Sequence, residues 1–357
     1  MPSTDNLYTD QLPGRTLVVE GVEYLYCSGT SYLGISRNEA FRACLWESMQ
    51  RYGTNYSSSR NGNLQLRVYD DVESYLAHYT GAEAALTVSS GYLAGQLLVQ
   101  TLAEEGRFLY APGTHPAVWR SATDAPDNSL SFEVWVAQVL ESAPAIPEQH
   151  LIIVCNSLDP LQVRDYDFNW VQELATKKQV TLIVDDSHGF GVTGRNGAGV
   201  YSQLSHLQGV RLLVVSSFGK AFGIPAGVIL GDRQVIAQLK SSPCFGGASP
   251  AVPAYLDAFL RSEKLFEEAR QKLFANIAYF TERLAQPGRF NSLPLYPVFN
   301  TPEEALCPFL QQHRVLISSF RYPTPADDPI TRVILNSLHT TDDLQRLTTL
   351  INQFEPD

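Results

Sequence analysis

The sequence has little positive charge and no long apolar run. Lysine and arginine number 26 against 37 aspartates and glutamates, which gives a net charge of −11. Nucleic-acid-binding proteins normally carry a basic face, so this balance argues against that class. An acidic protein can still hold one small anion in a local pocket. Because no stretch of about 18 apolar residues is present, we expect no membrane-spanning helix.

The cysteines give no sign of a disulfide framework or of a metal site. They number five, are scattered along the chain and include no CxxC pair. Residues 1–11 are polar and contain no apolar signal region. We therefore expect free thiols, no bound metal and a soluble cytoplasmic protein.

Short apolar runs alternate with helical patterns along most of the chain. This alternation predicts an α/β protein with a largely parallel sheet. The most informative strands are predicted at residues 151–157, 181–189 and 211–223, where an apolar run ends abruptly in polar residues or glycine. Buried parallel strands show this pattern where their carboxyl ends open on a ligand crevice. A neighbouring strand is predicted at residues 227–231.

Helix signals flank these strands. A helix is predicted at residues 39–52, with Asn38 as its N-cap and Gly53 beyond its end. A strand at residues 84–89 breaks at Ser90 and Gly91 into an apolar helix, and a long helical stretch is predicted from about residue 251 to 284. A hairpin is predicted at residues 16–33.

Lys220 is the residue that points most directly to chemistry. A lone lysine is usually a solvated surface residue. Lys220, however, lies in a glycine-framed turn directly after an apolar strand, and Asp185, Asp186 and His188 end the preceding strand pattern. Since the ends of adjacent parallel strands lie side by side, we expect a carboxylate, an imidazole and an amine to converge on one crevice.

That set of groups suits pyridoxal 5′-phosphate (PLP). A lysine amine forms a Schiff base with its aldehyde, and a carboxylate that keeps the pyridine nitrogen protonated turns the ring into an electron sink. The phosphate needs N–H groups at the start of a helix. The strand-to-helix turn at Ser90, Gly91 and Tyr92 offers them.

The chain resembles the fold-type I PLP-dependent enzymes and, among them, the α-oxoamine synthase family, which includes 8-amino-7-oxononanoate synthase and glycine C-acetyltransferase. Five segments carry the resemblance in the family's order, and they are YLYCSGTSYLG (24–34), SSGYLAGQ (89–96), VDDSHGFGVTGRNGAG (184–199), VVSSFGKAFG (214–223) and YPTPADDPITRVILNSLH (322–339). The resemblance implies the aspartate aminotransferase-like fold. It has a large, mostly parallel-sheet domain and a smaller α+β domain, placed here at residues 1–47 (arm and part of the small domain), 48–262 (large domain) and 263–357 (small domain).

The resemblance also implies a role for each matching residue. Lys220 matches the Schiff-base lysine, Asp185 the partner of the pyridine nitrogen, and His188 the imidazole beside the ring oxygen. These three are the predicted catalytic residues.

The phosphate is expected to lie between two segments. Ser90, Gly91 and Tyr92 match the family's phosphate turn, and Ser217 matches a serine or threonine that binds the same group.

Three further matches have plainer alternatives. His115 matches the histidine that stacks on the ring, or it is only a helix-entry residue. Arg332 matches the arginine that grips the substrate carboxylate, or it pairs with Asp327 or Asp328 at the surface. Asn156 follows the placement of a ring-oxygen-binding asparagine in aminotransferases of this fold, or it merely begins a turn.

Two glycine motifs are misleading. Residues 189–194 satisfy GxGxxG after a strand, but no helix follows directly and no acid lies about 20 residues further on, so a dinucleotide site is not expected. The SSFGKAFG segment lacks the spacing of a nucleotide-binding P-loop.

The chain departs from the family where the acyl donor would be held. Tyr69 occupies the position of a family histidine, and Gly246 and Gly247 align with a Ser/Thr pair that reaches a neighbouring subunit's phosphate; Ser249 or the glycine N–H groups could replace it. Residues 156–168 replace the family's usual Glu-Gly segment. The predicted cofactor-binding half is thus intact, whereas the acyl-donor half is altered.

Three functions follow as hypotheses. The first is a PLP-dependent transferase that moves an acyl group from an acyl thioester, expected to be acyl-CoA, to an amino acid. The second is a PLP-dependent aminotransferase, and the third is a non-catalytic homologue that keeps only the fold. The resemblance also implies a homodimer with shared active sites.

Overall fold

The computed structural model describes residues 7–321 and 329–355. Its strands and helices, in chain order, are β1 Thr16–Val19, β2 Val22–Cys27, α1 Glu39–Tyr52, α2 Arg67–Thr80, β3 Ala84–Val88, α3 Gly91–Thr101, β4 Arg107–Tyr110, α4 Phe132–Ser142, β5 His150–Asn156, β6 Leu158–Asp159, β7 Arg164–Asp165, α5 Trp170–Ala175, β8 Gln179–Asp185, α6 Tyr201–Leu204, β9 Val210–Ser217, β10 Gly227–Gly231, α7 Arg233–Lys240, α8 Pro243–Gly247, α9 Pro253–Leu260, α10 Glu263–Arg283, β11 Val298–Thr301, α11 Leu306–Gln312, β12 Val315–Arg321, β13 Pro329–Ile334 and α12 Thr341–Gln353.

The chain divides into two compact units. Residues 38–159 and 165–266 form the large unit. The small unit consists of residues 160–164 and of the described residues up to 37 and from 267 onward. The predicted domain bounds at residues 47 and 262 stay a prediction.

A six-stranded sheet forms the centre of the large unit, in the order β3-β10-β9-β8-β5-β4. The strands β4, β5, β8 and β9 are parallel, and β10 runs antiparallel to both of its neighbours. The prediction of an α/β protein with a largely parallel sheet is confirmed. Asn156 pairs in register with Asp185, and Asp185 pairs with Val215, so the carboxyl ends of three strands lie side by side.

Helix α3 packs its apolar residues on this sheet. Leu97 and Leu98 are buried against Ile152, Ile183 and Ile229 of the strands. Full burial of one such side chain stabilises the folded state by about 1.5–3 kcal/mol. These contacts hold α3 on the sheet that carries the strand ends.

Local signals set several helix ends. The Asn38 side chain accepts a hydrogen bond from the Phe41 N–H (3.0 Å) and begins α1, as predicted. Gly81 takes the left-handed conformation (φ 79°) that ends α2, a conformation that costs glycine little.

The helical stretch predicted from about residue 251 to 284 is two helices rather than one. The N–H of Ser262 bonds to the Phe259 carbonyl, an i→i−3 bond that tightens the last turn of α9. The Ser262 carbonyl then accepts the Phe266 N–H as α10 begins. The break therefore arises from backbone hydrogen bonding at residues 261–262.

The small unit is built on a five-stranded sheet in the order β1-β2-β12-β13-β11. The predicted hairpin is confirmed, since β1 and β2 pair antiparallel around Glu20 and Gly21, both at positive φ. The final helix begins at a capping box in which Thr340 and Asp343 satisfy each other's backbone N–H. Within the described part of the chain, no helix combines the length and apolar character that a membrane span requires.

Candidate active site

Asp185 is presented at the carboxyl edge of the large sheet as the last residue of β8. Its Oδ1 accepts a hydrogen bond from the Ser187 N–H (2.9 Å), which orients the carboxylate. Its main-chain carbonyl accepts the Ser157 N–H and so continues the ladder to the next strand. No donor among the described residues binds Oδ2. One carboxylate oxygen therefore remains available for a cationic N–H.

The turn at Ser90 and Gly91 lies directly against the end of β9. A Cβ placed on Gly91 would lie 2.6 Å from Ser217 Cβ and 2.9 Å from Ser217 Cα. A Cβ on Gly227 would lie 2.2 Å from the Ser90 carbonyl oxygen. Three stretches of backbone thus meet at distances that only glycine permits. The start of α3 and Ser217 form one cradle.

The chemistry of this cradle fits a phosphate. The first N–H groups of a helix have no acceptor within the helix, and the helix dipole favours an anion there. The Ser90 side chain accepts the Leu93 N–H (3.0 Å) and caps α3, while Ser217 Oγ accepts the Gly219 N–H (3.1 Å) and keeps its own proton to donate. The Tyr92 side chain is exposed.

The turn that carries Lys220 is anchored by buried aromatic rings on both sides. Phe218 lies 5.4 Å from the Phe190 ring and 5.0 Å from the Phe259 ring. Phe222 lies 5.1 Å from each of the same two rings. Edge-to-face ring pairs at these distances add to the stabilisation from burial. The lysine backbone is therefore held between two fixed points.

The Lys220 amine is half-buried and chemically available. Burial lowers its pKa, while negative charge at Asp185 or Asp186 acts in the opposite direction. Its Nζ forms no hydrogen bond with any other residue in the described part of the chain. A lysine with a lowered pKa has a larger neutral fraction, and the neutral amine is the nucleophile.

His115 lies near Asp185 and Lys220. Its Nδ1 accepts the Ala117 N–H (3.1 Å), so a neutral ring carries its proton on Nε2. Burial lowers the pKa of His115, the charge of Asp185 raises it and that of Lys220 lowers it. His115 therefore lies close enough to Asp185 and Lys220 to interact with both electrostatically. The side-chain amide of Gln96 donates to the carbonyls of Pro116, Ala117 and Trp119 and fixes the turn on α3.

Asn156 pairs in register with Asp185 on the neighbouring strand β5, and His188 follows Asp185 by three residues in the sequence. Asn156 is buried, and its Nδ2 donates to the Gly113 carbonyl (2.8 Å), which ties it to the loop before His115. His188 is half-buried in the turn that follows β8. Their predicted contacts with the ring oxygen stay predictions.

Arg332 belongs to β13 of the small unit. It is buried, its Nη1 donates to the Pro160 carbonyl (2.7 Å), and its guanidinium lies 5.1 Å from the centroid of the Phe320 ring. The alternative partners Asp327 and Asp328 lie outside the described residues. Its predicted role in binding the substrate carboxylate stays a prediction.

The sequence analysis missed a buried ion-pair network beside β3. Glu73 accepts hydrogen bonds from Arg60, Lys240 and both the N–H and the hydroxyl of Thr87. Burial alone would raise the pKa of Glu73, but Arg60 and Lys240 outweigh it and hold the pKa below its ordinary value. A signal existed, because Glu73 falls on the apolar stripe of α2 with Tyr69 and Leu76.

Two of the three family departures, at Tyr69 and at Gly246 and Gly247, lie in segments that are hydrogen-bonded to each other. The Tyr69 hydroxyl donates to the Ala251 carbonyl (2.8 Å), and Ser59 Oγ donates to the Gly246 carbonyl (2.7 Å). Gly247 has open space around it, since a Cβ there would meet no atom within 4 Å. Two of the segments predicted to shape the acyl-donor site, residues 59–69 and 246–251, are thus tied to each other.

The donor set suits PLP. A phosphate cradle at a helix start, an accessible amine and an oriented carboxylate lie along one edge of one sheet. Among residues 7–321 and 329–355, no three His, Cys, Asp or Glu side chains form a group that could hold a metal. The fold and the donor set match those expected of a fold-type I PLP-dependent transferase.

The family is shown by sequence. The sequence model described as "Aminotransferase class I and II" matches residues 32–351, and the chain belongs to that family. Curated relatives named 8-amino-7-oxononanoate synthase match nearly the whole chain. The protein of Petrotoga mobilis is 27% identical and covers 93% of this chain and 88% of its own length. That of Azoarcus sp. is 29% identical and covers 95% and 90%.

Solved structures share the fold. A serine palmitoyltransferase from S. paucimobilis with bound PLP and myriocin superposes with a TM-score of 0.82 at 18% identity, over 97% of this chain and 91% of that chain. An 8-amino-7-oxononanoate synthase from Francisella tularensis superposes with a TM-score of 0.69 at 21% identity, over 92% and 97%. The chain is therefore similar to the α-oxoamine synthases over nearly its full length, and the predicted fold and family are confirmed.

Proposed function

We propose that this protein is a PLP-dependent transferase that condenses an amino acid with an acyl thioester, with acyl-CoA as the expected donor. The observation that carries the proposal is the grouping of Lys220, Asp185 and the Gly91–Ser217 cradle along one sheet edge. The near full-length similarity to 8-amino-7-oxononanoate synthases supports the acyl-transfer chemistry over other reactions of the fold.

The cofactor would be held by residues of the large unit. When bound, PLP supplies an aldehyde for a lysine amine and a ring that accepts electrons. Gly91 and Ser217 would bind the phosphate, and Asp185 would hold a proton at the ring nitrogen through its available Oδ2. His115 would cover the ring and exclude water, since a neutral imidazole can stack without adding charge.

The substrate would be handled by two basic groups. Arg332 would bind the amino-acid carboxylate through its guanidinium. Lys220 Nζ, once released, would take the proton from the substrate α-carbon as a general base. The α-carbon then bonds to the thioester carbonyl carbon, the C–S bond breaks and the thiol leaves with a proton. Most members of the resembled family also release CO2.

A substrate panel tests this proposal. The purified holoenzyme is incubated with single amino acids and acyl-CoAs, and free thiol is measured by a colorimetric reagent. The matched control is Lys220→Ala at the same concentration. Thiol release that needs both substrates and Lys220 is expected; no release with any pair rejects the acyl-transfer step.

An aminotransferase is the second candidate. Asn156 lies in register beside Asp185, and the acyl-donor segments depart from the family. This reaction would form a 2-oxo acid from an amino donor with no thioester present. A non-catalytic homologue is the third candidate, and the presence of Lys220 argues against it. The absorbance of lysine-bound PLP, lost in Lys220→Ala, would exclude it.

We propose a homodimer and a cytoplasmic location as further parts of this function. The resembled family builds each site from two subunits, and the open surface at Gly247 leaves room for a partner's phosphate. Sedimentation at several concentrations distinguishes a dimer from a monomer. A monomer that still binds PLP with full occupancy would contradict shared sites.

A further inference from the structure

Asp186 is a second carboxyl beside the candidate site, and it is almost fully enclosed. It follows Asp185 directly and is 1% exposed. Its Oδ2 accepts one hydrogen bond, from the Val200 N–H (2.9 Å). Within the described residues Oδ1 has no hydrogen-bond partner. The Ser157 hydroxyl lies near enough to favour the charged form but does not reach hydrogen-bond geometry with Oδ1.

The loop of residues 189–200 closes around this carboxyl. A Cβ on Gly189 would lie 2.2 Å from Oδ1, and a Cβ on Gly199 would lie 2.0 Å from Oδ2. The Gly189 N–H also bonds to the Asp186 carbonyl (3.0 Å). Both ends of the loop are therefore seated on Asp186.

The same loop supports the turn of Lys220. Phe190 packs against Phe218 and Phe222, which flank the lysine. A Cβ on Gly191 would lie 2.5 Å from Ala221 Cβ. The loop that encloses Asp186 therefore also packs against the turn that presents the amine.

A charged carboxylate at this position would be poorly compensated. Glu73 is the contrasting case in the same unit, because it is also buried but receives five hydrogen bonds, three of them from Arg60 and Lys240. Asp186 receives one, from a neutral N–H. Buried carboxyls without compensation neutralise.

The charges that face Asp186 come from two groups. Burial raises the pKa of Asp186 to about 7, the negative charge of Asp185 adds to this effect, and Lys220 opposes it. Oδ1 is the oxygen that can carry the proton, because Oδ2 accepts the Val200 N–H and Oδ1 has no partner among the described residues.

We propose that Asp186 takes up a proton on folding and acts as a positioning residue, whose neutral carboxyl seats residues 189–200 on the strand end of Asp185 and thereby holds the turn of Lys220. Its effect on catalysis rests on the proposed function. Its protonation is measured without substrate, so the two can fail separately.

The first measurement is infrared spectroscopy of the holoenzyme at about pH 6, one unit below the pKa of about 7 for Asp186. The carbonyl band of a protonated carboxylic acid is expected in the wild type and absent in Asp186→Asn. Glu73→Gln is the matched control, because it also removes a buried carboxyl but should leave the band in place. A wild-type spectrum without the band overturns the proposal.

The second measurement is the pH profile of unfolding by urea. A carboxyl whose pKa is raised on folding contributes stability below its unfolded pKa of about 4 and loses it as pH rises to about 7. The folding equilibrium constant of the wild type should therefore fall relative to that of Asp186→Asn, by up to about tenfold per pH unit in that window. Parallel profiles overturn the proposal.

A comparison of Asp186→Ala with Asp186→Asn distinguishes a positioning role of Asp186 from a role that requires its negative charge. Asp186→Ala should lower PLP affinity, and Asp186→Asn should restore it, because the amide keeps the shape and the acceptor for Val200. If Asp186→Ala does not fold, the comparison of Asp186→Asn with the wild type stands alone. An Asp186→Asn protein that neither folds nor binds PLP shows that the negative charge is required and overturns the proposal.

Discussion

The substitution Gly91→Ala tests the phosphate cradle at its tightest point. The added Cβ would lie 2.6 Å from Ser217 Cβ and 2.9 Å from Ser217 Cα. The Cα is backbone of a central strand and cannot rotate away. Either α3 or the end of β9 must therefore move, and both are proposed to hold the same phosphate.

The magnitude follows from this overlap. One extra carbon forced into close-packed structure costs about 1–3 kcal/mol of unfolding free energy. A displaced helix start also misaligns the N–H groups that would bind the phosphate. We expect the PLP dissociation constant to rise about 10- to 100-fold, equivalent to about 1.4–2.8 kcal/mol.

The assay is a fluorescence titration of PLP into the cofactor-free protein, with urea unfolding in parallel. Gly106→Ala is the matched steric control, since its Cβ would lie 2.4 Å from the His150 carbonyl oxygen at the opposite, amino edge of the sheet. It should lose stability but keep PLP affinity. Gly247→Ala, whose Cβ meets nothing within 4 Å, is the neutral control.

The reasoning fails if Gly91→Ala binds PLP as tightly as Gly247→Ala does. It also fails if Gly106→Ala loses affinity to the same extent, because the loss would then follow general destabilisation and not the cradle.

Three further predictions concern charge and packing. Asp185→Asn should retain bound PLP, as measured by absorbance, but its kcat should be about 100-fold lower (about 2.7 kcal/mol). The reason is that the amide cannot stabilise a protonated ring nitrogen. An unchanged kcat would show that Asp185 does not have that role. Glu73→Gln should lower the free energy of unfolding by about 3–5 kcal/mol because it leaves buried Arg60 without its counter-ion. Because the pKa of Glu73 is lowered on folding, its contribution is present above its unfolded pKa of about 4.3 and is lost as pH falls, so urea profiles of wild type and variant should converge in acid. Phe222→Ala should cost about 3–5 kcal/mol and weaken PLP capture, whereas Phe222→Leu should cost less; equal urea midpoints for all three proteins would show that the aromatic cluster does not anchor the lysine turn.

The strand ends and helix starts of the candidate site were predictable because their signals are local. An apolar run that stops at Asp185, a serine–glycine step at Ser90 and a lysine between glycines each reflect the conformation of a few neighbouring residues. The parallel arrangement then requires that such ends share one edge. The order of the strands and the register of Asn156 with Asp185 needed the folded chain.

The sequence by itself determined the fold class, the family and the residues at the sheet edge, because periodicity and turn chemistry act over short distances along the chain. Only the tertiary structure decided which buried carboxyl has cationic side chains to balance its negative charge. Glu73 and Asp186 are both acids in apolar surroundings, but Arg60 and Lys240 reach one and no cation contacts the other among the described residues. The charge of a buried group depends on neighbours that are brought to it through space, and its own stretch of sequence does not specify them.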